Sequence, residues 1–137
     1  MTEQDQILRH SGTVAVVGLS PKAHRDSYRV SAYMQAQGWR VVPVNPVAAA
    51  SGTAILGETV YATLTEACAA QKIDLVNVFR HSEDVPPIVD EAIRLGLAAL
   101  WLQLGIRHDA AVALARAAGM LVVQDRCLMV EHRNNRL

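Results

Sequence analysis

The sequence predicts an α/β domain built on a doubly wound, mostly parallel sheet of about five strands with helices on both faces. Short apolar runs rich in valine alternate along the chain with segments of helical periodicity. These runs are almost continuously apolar, which is typical of parallel strands that are covered on both faces. Strands and helices that alternate at such intervals predict right-handed crossover connections, as in a Rossmann-like domain.

Five apolar runs are the predicted strands. In chain order they are Thr13–Val17, Arg40–Val44, Leu75–Phe79, Ala98–Leu102 and Met120–Val123. The second run ends at Asn45, because a residue that precedes a proline is disfavoured in the helical region. A loop rich in alanine and glycine follows, and then a short extended piece at Thr59–Tyr61.

Helical segments separate the strands. They are Ser27–Gln37, Thr63–Gln71, a helix from Ser82 to a stop at Gly96, and His108–Ala118. Thr63 and Glu66 match the capping-box pattern at the start of the second helix. Ser82 is expected to cap the third helix, whose first turn tolerates Pro86 and Pro87.

Length and composition predict one domain over residues 1–137, with residues 1–10 as an N-terminal extension. Thirteen basic residues balance thirteen acidic ones, which argues against nucleic acid as the main partner. No apolar run approaches the roughly 18 residues that a membrane span needs. Cys68 and Cys127 form no metal-ligand or disulfide pattern, so we expect a reduced, cytoplasmic protein.

The predicted fold indicates where a ligand would bind. In a doubly wound sheet, ligands lie beyond the carboxyl ends of the strands, near the point where the strand order reverses. The candidate segments are therefore those that directly follow the first four strands. These segments are Gly18–Ser27, Asn45–Pro46, Arg80–His81 and Gln103–Gly105.

The loop after the first strand has the residue types that bind phosphate. Gly18 allows a tight turn out of the strand, and Ser27 or Asp26 can cap the helix that follows, whose amino end favours an anion. Lys22 and Arg25 add positive charge, and Ser20 adds a hydroxyl donor. An ordinary surface loop with solvated charges is the alternative interpretation.

A nicotinamide dinucleotide fits this loop poorly. The dinucleotide fingerprint needs three glycines, and Pro21 and Ala23 stand at two of those positions. The acidic residue expected at the end of the second strand is replaced by Asn45. A ligand with an additional phosphate suits Lys22, Arg25 and the nearby Arg29 better.

Several sequence blocks, in order, resemble a known family. The chain is similar to the small standalone CoA-binding domain proteins, relatives of the CoA-binding domain in the α subunit of succinyl-CoA synthetase. The blocks are Val17–Lys22 with Arg25 and Ser27, Val42–Pro46, Gly57–Glu58, Asp74–Arg80, Leu100–Gly105, Gln124–Cys127 and Glu131–His132. Together the blocks extend over nearly all of residues 10–137.

The resemblance implies that the chain binds coenzyme A or a short acyl-CoA. The loop from Gly18 through Leu19 and Ser20 to Lys22 would hold the pyrophosphate at the helix amino end. The other implied contacts are Arg25 and Ser27 in the same loop, Val44, Asn45 and Pro46 beside the adenosine, Phe79 and Arg80 along the pantetheine, and Gln103 to Gly105 on the opposite wall. The synthetase loop is richer in glycine, which leaves open which main-chain groups touch phosphate here.

The resemblance does not carry the ligase reaction over, because the synthetase subunit holds its phosphorylated histidine in a second domain. The leading hypothesis is therefore a ligand-binding module without chemistry of its own, acting with a protein partner or as a homo-oligomer. Three alternatives stay open. They are an enzyme acting on an acyl-CoA thioester through Cys127 or His81, a nicotinamide-binding redox sensor, and an interaction subunit with a vestigial pocket.

Overall fold

The computed structural model describes residues 1–135 and confirms the predicted fold class. Five strands form one parallel sheet in the order β2-β1-β3-β4-β5. The strands are β1 Thr13–Val17, β2 Arg40–Val44, β3 Leu75–Val78, β4 Ala99–Leu102 and β5 Leu121–Val123. The order reverses between β1 and β3, so β1 has one neighbour on each side of the reversal.

Seven helices are described around this sheet. They are α1 Glu3–His10, α2 Asp26–Ala36, α3 Pro46–Ser51, α4 Leu64–Ala70, α5 Val85–Arg94, α6 Asp109–Ala117 and α7 Leu128–Asn134. Alternate strand residues point to the two faces, so the sheet has a separate apolar core on each side. Helices α4, α5 and α6 cover one core, and α1, α2 and α7 cover the other, with Ala48 of α3 also buried in it.

The segment after β2 was predicted to be a loop, and that prediction is wrong. It forms α3, because Asn45 Oδ1 accepts hydrogen bonds from the amides of Val47 and Ala48 at 3.0 and 3.1 Å. Pro46 stands in the first turn, where its missing N–H costs nothing. The extended piece farther along is present, since Tyr61 forms a parallel bridge with Val44.

Ser82 does not cap the helix after β3, contrary to the prediction. It begins a 3-10 turn, Ser82–Asp84, and α5 starts at Val85. The Ser82 hydroxyl instead accepts a hydrogen bond from the amide of Arg107 at 3.0 Å. The serine therefore ties the loop after β3 to the loop after β4.

The residues interpreted as an N-terminal extension form α1, which packs along β5 at the edge of the sheet. The Glu3 carboxylate accepts a hydrogen bond from the outward-facing amide of Val122 at 2.9 Å and forms an ion pair with Arg116 at 2.8 Å. Arg116 also donates to the Val122 carbonyl at 3.3 Å. Both edge groups of Val122 are thus satisfied, which protects a strand edge from pairing with another chain.

This arrangement fixes the charge state of Glu3. Partial burial opposes ionisation of the carboxyl, but the hydrogen bonds from Arg116 and from the Val122 amide outweigh it and lower the pKa of Glu3. A carboxyl whose pKa is lowered by folding stabilises the protein above its unfolded pKa. That stability is lost as the pH falls through the lowered folded pKa.

We therefore expect Glu3→Gln to reduce the free energy of unfolding by about 1 kcal/mol at neutral pH. The difference from the wild type should shrink as the pH falls through the Glu3 pKa. Urea unfolding at a series of pH values measures both effects. Glu83→Gln, at an exposed carboxylate for which the structure gives no hydrogen bond, is the matched control. An equal loss in both variants, or a difference that grows at acid pH, would contradict the account.

Candidate functional site

The carboxyl ends of β1 to β4 surround an open cleft of about 600 Å³ at the point where the strand order reverses. Its lining comes from four loops, each of which follows a strand. The lining residues are Gly18; Asn45, Pro46 and Val47; Phe79, Arg80, His81 and Ser82; and Leu104, Gly105 and Ile106. This is the position that the fold predicts for a ligand.

A smaller cavity of about 290 Å³ adjoins the cleft and shares Gly18, Pro46 and Arg80 with it. It extends under α4 and α5 and is lined mainly by apolar side chains, among them Val44 and Ile88. Because the two spaces share three residues, they form one elongated crevice. A third space of about 500 Å³ lies between α1 and β5 and has no lining residue in common with the crevice.

Gly18 lies at the centre of the crevice, in a conformation that requires glycine. Its φ is +90°, and a Cβ atom at this position would lie 2.7 Å from the carbonyl oxygen of Phe79. Its amide donates to the carbonyl of Val44 at 2.9 Å. The ends of β1, β2 and β3 therefore meet at this glycine, and the side chain of Arg80 lies directly over it.

The loop between β1 and α2 is held by its own serines. The Ser20 amide donates to Ser27 Oγ at 3.0 Å, and the Lys22 amide donates to Ser20 Oγ at 3.1 Å. Ser27 is buried, so the expected capping role for Ser27 or Asp26 is wrong. Arg25 occupies the cap position and makes no side-chain capping bond. The first turn of α2 thus keeps backbone amides without a capping side chain, as an anion site needs.

Charge around this helix end is positive. Lys22 and Arg25 are exposed, and within residues 1–135 neither forms an ion pair. Arg29, which the sequence also suggested, is paired with Asp26. Arg80 reaches Asp84 across 3.5 Å, a long contact between half-exposed side chains that leaves the guanidinium available to a ligand.

Four further predicted site residues either are buried or use their side chains in hydrogen bonds within the protein. Asn45 uses its carbonyl oxygen to cap α3 and its amide to donate to the Leu19 carbonyl at 2.9 Å. Leu19 is fully buried, main chain included, and lines neither lobe of the crevice. Gln103 is buried and accepts from the amide of Leu128 at 3.3 Å. Val44 is buried and contributes to the smaller cavity alone.

Sequence reasoning missed the contribution of the turn between β5 and α7. Asp125 has a φ of +59°, unusual for a residue with a side chain, and its Oδ1 accepts the amide of Gly105 at 2.7 Å. The indole of Trp101 donates to the carbonyl of Arg126 at 2.8 Å. The turn therefore positions the loop after β4. Val47, Ser82 and Ile106 also line the cleft and were not predicted.

The two cysteines lie apart from the cleft lining. Cys127 is half-buried and packs with the core under α2, and Cys68 is half-buried against the other core. Burial, followed by the charge of Glu91, raises the pKa of the Cys68 thiol. Within the described residues no group of His, Cys, Asp or Glu side chains could hold a metal ion. No helix in residues 1–135 has the length and hydropathy to span a membrane.

The model of a family described as the CoA binding domain matches residues 12–133, which include every strand and the whole cleft lining. The chain belongs to this CoA-binding domain family. The match confirms the resemblance that the sequence blocks indicated. Both the first lining residue of the cleft, Gly18, and the last, Ile106, fall within the matched residues.

Relatives of this CoA-binding domain include an uncharacterized protein of Bacillus subtilis, YneT. It is 35% identical over 130 residues, which cover 95% of this chain and 92% of YneT. A structure from Thermus thermophilus, cell-free ID.343, is 35% identical with a TM-score of 0.89 over 98% of both chains. Part of a dinucleotide-forming acetyl-coenzyme A synthetase from Ca. Korarchaeum cryptofilum shares the fold at 20% identity. Its TM-score is 0.73, over 88% of this chain and 27% of the synthetase.

Gly18 and Gly38 provide a matched test of the close approach in this CoA-binding domain. Both have positive φ, +90° and +93°, but a Cβ at Gly38 would meet nothing within 4 Å. We expect Gly38→Ala to lower the free energy of unfolding by about 1–2 kcal/mol. Gly18→Ala should cost at least about twice as much, because it adds the collision with Phe79. Denaturant unfolding of the two variants measures the difference, and equal losses would contradict the interpretation.

Proposed function

We propose that this chain binds coenzyme A or an acyl-CoA in the crevice at the carboxyl ends of β1 to β4 and carries out no reaction itself. The observation that carries the proposal is a crevice with two lobes that share Gly18, the first residue of a loop that leads through Lys22 and Arg25 to an uncapped helix amino end. Coenzyme A is elongated, with phosphates at one part and an apolar arm at another. Such a ligand needs both features.

The phosphate contacts in the proposal come from the loop after β1. The first turn of α2 offers backbone amides and the positive end of the helix dipole. Lys22 and Arg25 add charge that no acidic side chain in residues 1–135 neutralises through an ion pair. Ser20 keeps its hydroxyl proton as a donor, since its oxygen already accepts from Lys22.

The rest of the ligand occupies the crevice in this proposal. The volumes of about 600 and 290 Å³ are of the size that cofactor sites usually have. Pro46 and Val47 flank the adenosine beside β2, while Phe79 and Arg80 lie along the pantetheine arm. Gly105, held by Asp125, forms the far wall. Arg80 lies between the two lobes and is placed to contact the ligand from either one.

The lining supports binding without catalysis. The hydroxyl-bearing side chains among the lining residues are Ser82 and Thr63, whose oxygens accept from the amides of Arg107 and Glu66. His81 is exposed, and in residues 1–135 it has no carboxylate partner that would orient it as a base. Cys127, the other candidate nucleophile, does not line the cleft. The two unpaired cysteines also suit the proposed reducing, cytoplasmic location.

A nicotinamide dinucleotide remains less suitable than coenzyme A on these contacts. Asn45 stands where a dinucleotide site has its ribose-binding carboxylate, and both polar atoms of its side chain are already used within the scaffold. No acidic side chain follows β2 directly, since Pro46 and Val47 come next.

Calorimetric titration with coenzyme A, acetyl-CoA, NAD and ADP tests the proposal. We expect micromolar binding of coenzyme A and none of NAD. Lys22→Ala should weaken binding of coenzyme A by about 1–3 kcal/mol, the value of a charge-assisted hydrogen bond. The control is Lys72→Ala, which should leave the affinity unchanged. Lys72 is exposed and lies just before β3, at the amino ends of the strands and thus away from the cleft. Binding of NAD alone, or of no nucleotide, would reject the proposal.

Incubation with acetyl-CoA tests the absence of chemistry separately. We expect no release of free thiol above the spontaneous rate when an excess of the protein is present. Release that exceeds this rate and disappears in Cys127→Ser, with binding retained, would instead establish an enzyme acting on the thioester.

A further inference from the structure

We propose that Leu104 selects the acyl group of the ligand, so that the crevice binds acyl-CoA thioesters in preference to free coenzyme A. This inference rests on the proposed function and adds the ligand class. It comes from an exposed leucine that lines the cleft and from the way in which the loop around it is held.

Leu104 is 68% exposed, although it belongs to a residue type that is usually buried. It lies directly after the buried Gln103 and lines the cleft together with Phe79 and Ile106. Three apolar side chains therefore stand at the end of the cleft formed by β3 and β4. A second exposed leucine, Leu114 on α6, is 58% exposed and is not a lining residue.

The loop that carries Leu104 is braced from three directions. The amide of Gly105 donates a hydrogen bond to Asp125 at 2.7 Å. The amide of Arg107 donates to Ser82 at 3.0 Å, and the amide of His108 donates to Gln124 at 3.1 Å. The strained backbone of Asp125 belongs to this bracing, and such strain persists where the surrounding structure holds it in place. A surface leucine on a loop held in this way is a fixed part of the cleft wall.

The same bonds, with one more, occupy four consecutive amides of the loop. The Ile106 amide donates to the Gln103 carbonyl at 2.9 Å, so every amide from Gly105 to His108 already has a partner inside the protein. A purine or a sugar at this wall could not accept hydrogen bonds from these four amides. An aliphatic chain has no such requirement and gains from contact with Leu104, Phe79 and Ile106.

Binding of another protein explains these observations less well. A stable interface buries about 800 Å² on each partner. The two exposed apolar side chains that line the cleft, Leu104 and Val47, contribute little of that area. The other exposed leucine, Leu114, lies outside the cleft, so the two leucines do not form one patch around the cleft.

Titration of the full-length protein with coenzyme A, acetyl-CoA, butyryl-CoA and hexanoyl-CoA tests the inference. We expect the affinity to rise with chain length, so that butyryl-CoA binds roughly tenfold more tightly than free coenzyme A. Leu104→Ser should abolish this increase, so that butyryl-CoA binds this variant no more tightly than free coenzyme A does. Leu114→Ser, a matched exposed leucine outside the cleft, should keep the whole increase.

The outcomes separate the two proposals. If neither coenzyme A nor its thioesters bind, the proposed function fails. If coenzyme A binds but chain length has no effect in the wild type, or Leu104→Ser behaves like Leu114→Ser, only the role of Leu104 is overturned. If Leu104→Ser loses affinity equally for ADP, coenzyme A and butyryl-CoA, the adenosine lies at this wall. If Leu104→Ser has a different oligomeric state from the wild type, Leu104 is an interface residue. Both of these results also overturn the inference.

Discussion

The close approach of two main chains at Gly18 is the constraint on which the rest of the site depends. Here the chain leaves β1, and its main chain passes so near the Phe79 carbonyl that no Cβ fits between them. The Gly18 amide is bonded to β2 and the Phe79 amide to Val17, so three strand ends are joined within one turn. This junction lets the loop after β1 pass over the sheet and reach α2. It also forms the floor that both lobes of the crevice share.

Side chains that follow the strands act mainly as supports for this junction. Asn45 joins the loop after β1 to α3, Ser27 holds Ser20, and Asp125 holds Gly105. Each is a polar group that would cost free energy if its partner were lost, and each fixes a loop that lines the crevice. The groups left for a ligand are accordingly few: the amino end of α2, the Ser20 hydroxyl, the cations Lys22, Arg25 and Arg80, and the apolar side chains of the walls. A site of this composition is suited to holding an anionic, elongated molecule.

The sequence predicted the strands to within about a residue, because buried parallel strands have an apolar pattern that depends on few other factors. The same reasoning identified four segments after the strands that contribute to the cleft, since their position follows from the topology. Of the predicted segment Gly18–Ser27, however, Gly18 alone lines the cleft. It assigned α3 to a loop because proline and a run of alanines give no clear period, whereas the deciding factor is the cap supplied by Asn45. Bonds between loops far apart in the chain, such as Ser82 to Arg107 and Asp125 to Gly105, leave no local signal. For that reason Ser82 was given a capping role that it does not have.

The central claim is that coenzyme A occupies the crevice around Gly18, and nuclear magnetic resonance of the ¹⁵N-labelled protein during titration with coenzyme A tests it most directly. The account predicts that the amides whose signals move are those of Gly18–Ser20, Lys22, Val47, Phe79–Ser82 and Leu104–Ile106. Amides beside the separate cavity between α1 and β5, those of Thr2–Asp5 and Val122–Gln124, should stay unchanged. Movement confined to that second group, or no movement at all at saturating ligand, would contradict it.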